Sequence, residues 1–483
     1  IVVAQPRRIA AVACARRVAE ELNVTFGKEV GYQIRHQRGF DPDSTKIKFV
    51  TDGVLLREIE HDILARRYSA IILDEAHERT LNSDLLAALL SRSVSLRSSN
   101  EEFGPLKLVI MSANLDIQGF IGGENPVFQK DSCPLIQVDT RQYPVTTHFS
   151  RRTKGDYINA AFQKACKLHK KLPAGDVLIF VTGRLEVMQL VRKLNQIFTD
   201  RNSFEAFPLY ANLPEQRQGK ILSPSSPQKR RVIVATNVAE TSLTIPGIRY
   251  VIDTGKVKEV TFRGSGGASM KSYEVNWISK ASANQRAGRS GRIGPGHCYR
   301  LYSSAVFDNE FADQRVPEIL RIPSDTLVLR LLAMGIRRLE HFPFPTRPDE
   351  ESLKRSMMIL KMLGVIDESD ATLSQLGSKM AGLPLSPRLS CVLLFCSMRQ
   401  CASLATRLVA GLCVGEIFVQ SSHVDGEMGS AVQLKKPGFW KRFAHPMSEA
   451  FSLLRAICAA EVASVESRDS IERFFSENNL NGR

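Results

Sequence analysis

The sequence predicts an α/β protein built on parallel sheets, with a mainly helical C-terminal part. Three observations carry this. Short apolar runs recur along the chain, each ending in a polar cluster. Stretches with helical periodicity lie between them, which is the pattern of βαβ units. The alternation then stops near residue 313, and the rest of the 483 residues reads as helical.

The runs Ile1–Ala4, Ala70–Leu73, Leu108–Ile110, Val177–Val181, Val232–Ala235 and Tyr250–Ile252 are continuously apolar. Such runs suit strands of sheets covered on both faces. Ile9–Leu22, Leu81–Leu96 and Tyr157–His169 repeat apolar residues at helical spacing, as do Pro323–Ile336 and Asp349–Leu363 further on. Pro343, Pro345 and Pro348 break the chain between the last two. A strand-like piece at Val365 and Thr372–Leu373 follows, which suits a winged-helix unit. Beyond Pro384 and Pro387 the pattern is helical again, and the Gly/Ser/Lys-rich stretch Ser421–Pro437 reads as a surface loop.

Hydrophobic residues make up 43% and charged residues 24%, which excludes a mostly disordered chain. No apolar run approaches the ~18 residues of a membrane span, so no membrane role is expected. Sixty-five Lys and Arg against 50 Asp and Glu give a net charge of +15, which favours a polyanionic partner, nucleic acid before membrane surface. The nine cysteines show no C-x-x-C pair and no zinc spacing, and read as reduced structural thiols.

Two segments carry chemistry. Ala70–Leu73 runs into Asp74-Glu75-Ala76-His77, so two carboxylates stand at the carboxyl end of a buried strand. Ligands of parallel sheets sit at that end. An Asp there can hold magnesium through water, and the adjacent Glu can take a proton from an attacking water. A solvated acidic strand end is the alternative. The second segment is Gln285-Arg286-Ala287-Gly288-Arg289-Ser290-Gly291-Arg292. If helical, it places Gln285, Arg289 and Arg292 on one face, where two guanidiniums can clamp a γ-phosphate. Gly288 and Gly291 disfavour a helix unless something approaches closely. A basic surface loop explains the arginines but not their phase with Gln285.

Together these segments resemble the DEAH-box RNA helicases of superfamily 2, over nearly the whole chain. Gln5–Arg8 looks like their motif Ia, Thr51-Asp52-Gly53 like motif Ib, and Asp74–His77 is motif II. Thr182-Gly183 resembles motif IV, Thr236–Ser242 motif V, and Gln285–Arg292 motif VI. The resemblance implies two RecA-like parallel-sheet lobes, a winged helix and a truncated helical ratchet bundle. Their expected bounds are 1–139, 140–313, 314–380 and 381–483. A long β-hairpin is expected at 256–277, where Gly264, Gly266 and Gly267 supply the turn; an ordinary surface hairpin is the alternative. The implied activity is ATP hydrolysis with Mg2+ at the interlobe cleft, coupled to 3′-to-5′ movement on RNA. Asp74 would hold the metal, Glu75 would be the base, and His77 would couple the site to Gln285. Arg289 and Arg292 would reach the γ-phosphate, and Arg17 would stack on the adenine. Arg8, Thr51, Thr236, Asn237 and Thr241 match positions on the RNA backbone.

Four departures stand out. No G-x-x-x-x-G-K-[ST] sequence occurs, so the first lobe is expected to lack its P-loop end. The coupling motif reads Ser112-Ala113-Asn114 where the family has S-A-T. Leu222 stands where an aromatic residue often covers the adenine. The family's C-terminal OB-fold is missing as well. Arg141–Gly183, with its R-Q-Y-P-V and F-x-R-R-T runs, looks most like the nucleolar branch that acts on the small-subunit ribosome precursor. The resemblance therefore implies pre-ribosomal RNA or a small nucleolar RNA as partner, a G-patch-type activator, and a nuclear, nucleolar location. The competing class is a helicase-like RNA-binding scaffold without turnover.

Overall fold

The computed structural model describes residues 1–483 apart from 101, 114–118, 123–125, 139–142, 201–202, 212, 214–218, 222–228, 242–244, 264–269, 368–371, 415–439, 479 and 481–483. Asn114, Leu222, the hairpin glycines and the 421–437 stretch therefore lie outside the described residues. By internal contacts the chain divides into two compact units. One is Ile1–Pro323 with Glu340–Glu350, the other Ser324–Leu339 with Glu351–Arg483.

The first unit holds two six-stranded sheets. The N-terminal one comprises β1 (Val2–Gln5), β2 (Val30–Ile34), β3 (Gln37–Gly39), β4 (Ile47–Thr51), β5 (Ala70–Leu73) and β6 (Lys107–Ile110), in the order β3-β2-β4-β1-β5-β6. All neighbours are parallel except β2 and β3, an antiparallel edge pair that the continuous-run pattern did not foresee. Helix α1 (Arg8–Glu21) lays Ala11, Ala15 and Ala19 on the sheet, where small side chains let helix and strands approach closely. Helices α2 (Asp52–His61) and α3 (Leu81–Ser98) complete this lobe.

The second sheet is wholly parallel, in the order β7-β14-β11-β8-β10-β9. Its strands are β7 (Val145–Phe149), β8 (Asp176–Phe180), β9 (Phe204–Leu209), β10 (Arg230–Ala235), β11 (Ile248–Asp253) and, after the hairpin, β14 (Gly296–Arg300). Both faces of β8 are covered. Val177 and Ile179 join the core under α4 (Tyr157–Lys171) and α5 (Arg184–Ile197), while Leu178 and Phe180 join the opposite core. Burial on both faces is what makes these strands read as apolar runs. The expected hairpin is present as β12 (Lys256–Arg263) and β13 (Met270–Trp277), paired antiparallel from Lys256–Trp277 to Arg263–Met270. It leads into α6 (Lys280–Gly288), and after β14 comes α7 (Ser304–Glu310).

The second unit is helical. Helices α8 (Asp325–Ala333) and α9 (Glu350–Met362) precede an antiparallel bridge between Ile366 and Leu373 and then α10 (Gln375–Ala381), the elements of a winged helix. Helices α11 (Pro387–Met398), α12 (Ala402–Val414), α13 (Trp440–Phe443), α14 (Glu449–Glu466) and α15 (Arg468–Glu477) follow. At Gly411 on α12 an added Cβ would lie 2.4 Å from Ile457 of α14, so that glycine sets the helix spacing. Among the described residues, no helix is long and apolar enough to cross a membrane.

Candidate functional site

The acidic pair sits where the sheet ends. Asp74 follows β5, and its backbone N–H donates to the Ala4 carbonyl of β1 (3.1 Å). The carboxylate accepts from Gln5 Nε2 (2.7 Å) and from the Glu75 backbone N–H (2.8 Å), which fixes its direction at the carboxyl edge. Glu75 then turns left-handed, at φ 56°, and Arg79 does the same at φ 49°. Non-glycine residues adopt this conformation only when their surroundings impose it, and such strain concentrates at functional sites.

His77 links three parts of the site. Its Nε2 lies 3.3 Å from Glu75 Oε2, near enough for charge coupling but without hydrogen-bond alignment. Its Nδ1 accepts from the backbone N–H of Ala113 (3.3 Å), so the Ser112-Ala113 segment touches His77 directly. It also lines one small pocket with Gln285, Arg7, Glu78 and Thr241. The structure thus brings His77 and Gln285 together. Ser112 Oγ, Gln5 Oε1 and His77 Nε2 are buried without a hydrogen-bond partner among the described residues. Three unsatisfied atoms around one carboxylate pair mark a site whose polar complement comes from a ligand or water.

The arginine segment differs from the single-helix expectation. Helix α6 ends at Gly288, and the chain continues through i→i+3 bonds from Arg289, Ser290 and Gly291 to Arg286, Ala287 and Gly288. Gln285 stays on the helix, while Arg289 and Arg292 leave it. The cause is close packing at Gly291, where a Cβ would sit 2.7 Å from the Tyr143 carbonyl oxygen and from Val145 Cγ2. Both arginines nevertheless lie within electrostatic reach of Glu75. Burial, then Arg292, push the Arg289 guanidinium down from its ordinary value, and Glu75 and Glu240 draw it back. Burial pushes Arg292 down, and Glu75 draws it back. Arg289 also donates to the Glu240 carbonyl.

The segment's second residue, Arg286, is the most deeply buried. It is 0% exposed and binds Glu240 Oε2 and Asp253 Oδ1, each at 2.9 Å. Tyr302 Oη donates to the other Asp253 oxygen (2.8 Å). Sequence reasoning passed over Arg286, whose burial comes from Glu240 and Asp253, distant in sequence. It also passed over Arg7, which pairs with Glu78 (3.1 Å) and donates to the Asn237 carbonyl.

The remaining candidates are placed as follows. Arg8 is the exposed first residue of α1. Thr51 ends β4 at the N-cap position of α2. Thr236 and Asn237 follow β10, with Thr236 buried. Thr241 is buried, and its hydroxyl donates to Glu78. Arg17 is exposed and held by Glu21 at 2.7 Å, one turn along the same helix.

Magnesium needs only one or two protein carboxylates when phosphate oxygens and water complete its shell. Asp74 offers one, and among the described residues no group of three or more His, Cys, Asp or Glu side chains gathers as a metal cage. The donor set fits a magnesium ion shared with a nucleotide.

With this geometry in hand, comparison with known proteins is decisive for the family. The helicase conserved C-terminal domain matches residues 160–294, and the ratchet-like helicase associated domain (HA2) matches 386–464. A putative ATP-dependent RNA helicase of Schizosaccharomyces pombe is 40% identical over 557 residues, covering 99% of this chain and 46% of the relative. The probable ATP-dependent RNA helicase DHR1 of Saccharomyces cerevisiae is 40% identical over 502 residues, 86% of this chain and 39% of the relative. The human probable ATP-dependent RNA helicase DHX37 is 35% identical over 576 residues, 96% and 49%. The chain belongs to the DEAH-box helicases of superfamily 2. It spans half or less of the length of each of these relatives.

Proposed function

We propose that the chain is the motor part of an ATP-dependent RNA helicase, hydrolysing a nucleoside triphosphate between the two sheets and moving 3′-to-5′ along RNA. The observation that carries this is Glu75, held in a left-handed turn beside Asp74, with Arg289 and Arg292 in its electrostatic reach from the other sheet. Glu75 takes the proton of the attacking water. Asp74, oriented by Gln5, holds magnesium, which when bound offsets charge on the phosphates. Arg289 and Arg292 stabilise the charge that develops on the γ-phosphoryl oxygens. His77, touching Ala113 and sharing a pocket with Gln285, relays the state of the site to the second sheet. Arg17 covers the adenine from α1, and Leu222 is assigned to its other face. Arg8, Thr51, Thr236, Asn237 and Thr241 position the RNA backbone, a task for side chains and amides that contact phosphate without reading bases.

The subfamily resemblance supports pre-ribosomal RNA or a small nucleolar RNA as substrate, a nucleolar location, and a G-patch-type activator. The expected domain bounds are kept as part of this proposal. A second reading, an RNA-binding scaffold without turnover, is favoured by Asn114 in the coupling motif. The test is RNA-stimulated hydrolysis by the full-length protein carrying R289A or R292A. Loss of a γ-phosphate arginine is worth about 10³–10⁵ in rate. Activity within a few-fold of the parent contradicts the arginine assignment, and a parent that binds RNA without turnover supports the scaffold.

A further inference from the structure

The second sheet carries a basic pocket that the hydrolysis site does not use. It lies at the carboxyl end of β7 and is lined by Phe149, Arg151, Arg152, Lys154, Lys164 and Arg300, with His148 and Ser150. Arg300 is 5% exposed and buried among aromatic rings, 5.0 Å from the Phe149 centroid and 4.4 Å from that of Phe307. It donates to Asn284 Oδ1 (2.8 Å) and also bonds Cys298, but its Nε has no hydrogen-bond partner among the described residues. No carboxylate lies within ion-pair distance of Arg300 among the described residues. The unpartnered Arg300 Nε and the cations that line the pocket leave it short of acceptors, which an anion supplies. The loop around it is pinned. Ser150 N–H donates to the Arg300 and Tyr302 carbonyls (3.0 and 3.1 Å), and Thr153 Oγ1 accepts from the Ser303 N–H (3.0 Å). Arg151, Arg152 and Lys154 are exposed on that loop. The nearest carboxylate in sequence, Asp156, is engaged in capping α4 through Asn159 N–H (2.9 Å).

We infer that this pocket binds the phosphodiester backbone of single-stranded RNA, as a second contact beyond the channel residues. The inference rests on the RNA-helicase reading and extends it. The position favours RNA over an acidic peptide added to the sheet edge. The lining comes from the end of β7 and the loop after it, not from Val145–Thr147, the backbone that strand addition would use. It also lies on the carboxyl edge that presents Thr236 after β10. Four strand spacings separate β7 from β10 in the sheet order, which is roughly 19 Å at ~4.8 Å each. A strand of more than a few nucleotides can span both contacts and a trinucleotide cannot. Phe149, 38% exposed, offers a ring on which a base can stack.

The test measures fluorescence anisotropy of labelled single-stranded RNAs of roughly 3 and roughly 20 nucleotides with the parent chain and with R151E/R152E, over a salt series. The variant should bind the long RNA about tenfold more weakly, and its salt slope should fall by about 1.4, two contacts at ~0.7 each. Short-RNA affinity and the thermal transition should not change. Ultraviolet cross-linking of long RNA to the 148–154 segment of the unmutated chain provides a second readout. Equal affinity of variant and parent for long RNA, with no cross-link in that segment, overturns the inference and leaves the helicase reading intact. A parent that binds neither RNA overturns both. Loss of polyglutamate binding with RNA binding unchanged overturns it in favour of a protein partner.

Discussion

Replacing Arg286 by Met should unfold the second sheet's core at markedly lower temperature. The side chain is fully buried and makes two charge-assisted bonds of 2.9 Å, to Glu240 and Asp253. Burial alone would raise the Glu240 carboxyl, but Arg286, aided by Ser282 and Arg7, holds it below the usual range. Methionine fills much of the volume and leaves both carboxylates without their cation. Asp253 keeps the Tyr302 hydroxyl and the Gly255 N–H, so Glu240 bears most of the loss. Breaking one side of a buried ion pair costs about 3–5 kcal/mol. At ~2–4 °C per kcal/mol, a loss near 4 kcal/mol lowers the transition by roughly 8–16 °C. Arg289 should shift too, because it donates to the Glu240 carbonyl, so RNA-stimulated hydrolysis should fall with stability. Thermal unfolding followed by circular dichroism is the assay, with R286M/E240Q as the companion variant. Removing the orphaned charge should recover part of the loss. A transition for R286M within about 2 °C of the parent would refute the view that this network organises the segment.

Three further outcomes can be checked. Gly291→Ala forces a Cβ to within 2.7 Å of the Tyr143 carbonyl and Val145, and should cost about 1–3 kcal/mol in denaturant unfolding. Burial, and after it Glu78, push the Asp52 carboxyl up to about 7. The folded chain then keeps a proton between about pH 4 and 7 that the unfolded chain releases, so stability should fall as pH rises through that window. Urea midpoints of D52N should lack this fall. Burial, then Asp74 and Glu75, raise the Cys14 thiol to about 11, so mass-spectrometric mapping of alkylation near neutral pH should find exposed Cys413 modified well before Cys14.

The central strands were legible because their physics is simple. β1, β8 and β10 are buried on both faces, and the half-buried positions of β5 are all apolar, so composition alone betrays them. β7 is an edge strand with mostly exposed residues, and β14 alternates buried and half-buried positions; neither produces a continuous run. The acidic pair was legible because two adjacent carboxylates cannot continue a buried strand. Asp74 and Glu75 must meet water or a ligand where the strand ends. The arginine segment was half legible. Helical phase suggested a shared face, while the turn that sends Arg289 and Arg292 out of α6 depends on Tyr143 and Val145, which are far away in sequence. Likewise no local pattern shows that Arg7 would bridge Glu78 and Asn237, that Thr241 would be buried against Glu78, or that Arg300 would bury an Nε with no partner among the described residues. These are properties of packing between distant segments.

The most direct test of the account concerns Glu75. In the full-length protein, Glu75→Gln keeps the shape of the side chain but cannot accept a proton. Single-turnover RNA-stimulated hydrolysis should fall by at least about 10²–10³, the lower range for a lost acid–base group, while nucleotide affinity measured in parallel stays within a few-fold. Hydrolysis that persists near the parental rate would contradict the assignment of Glu75 as the base and the mechanism built around it.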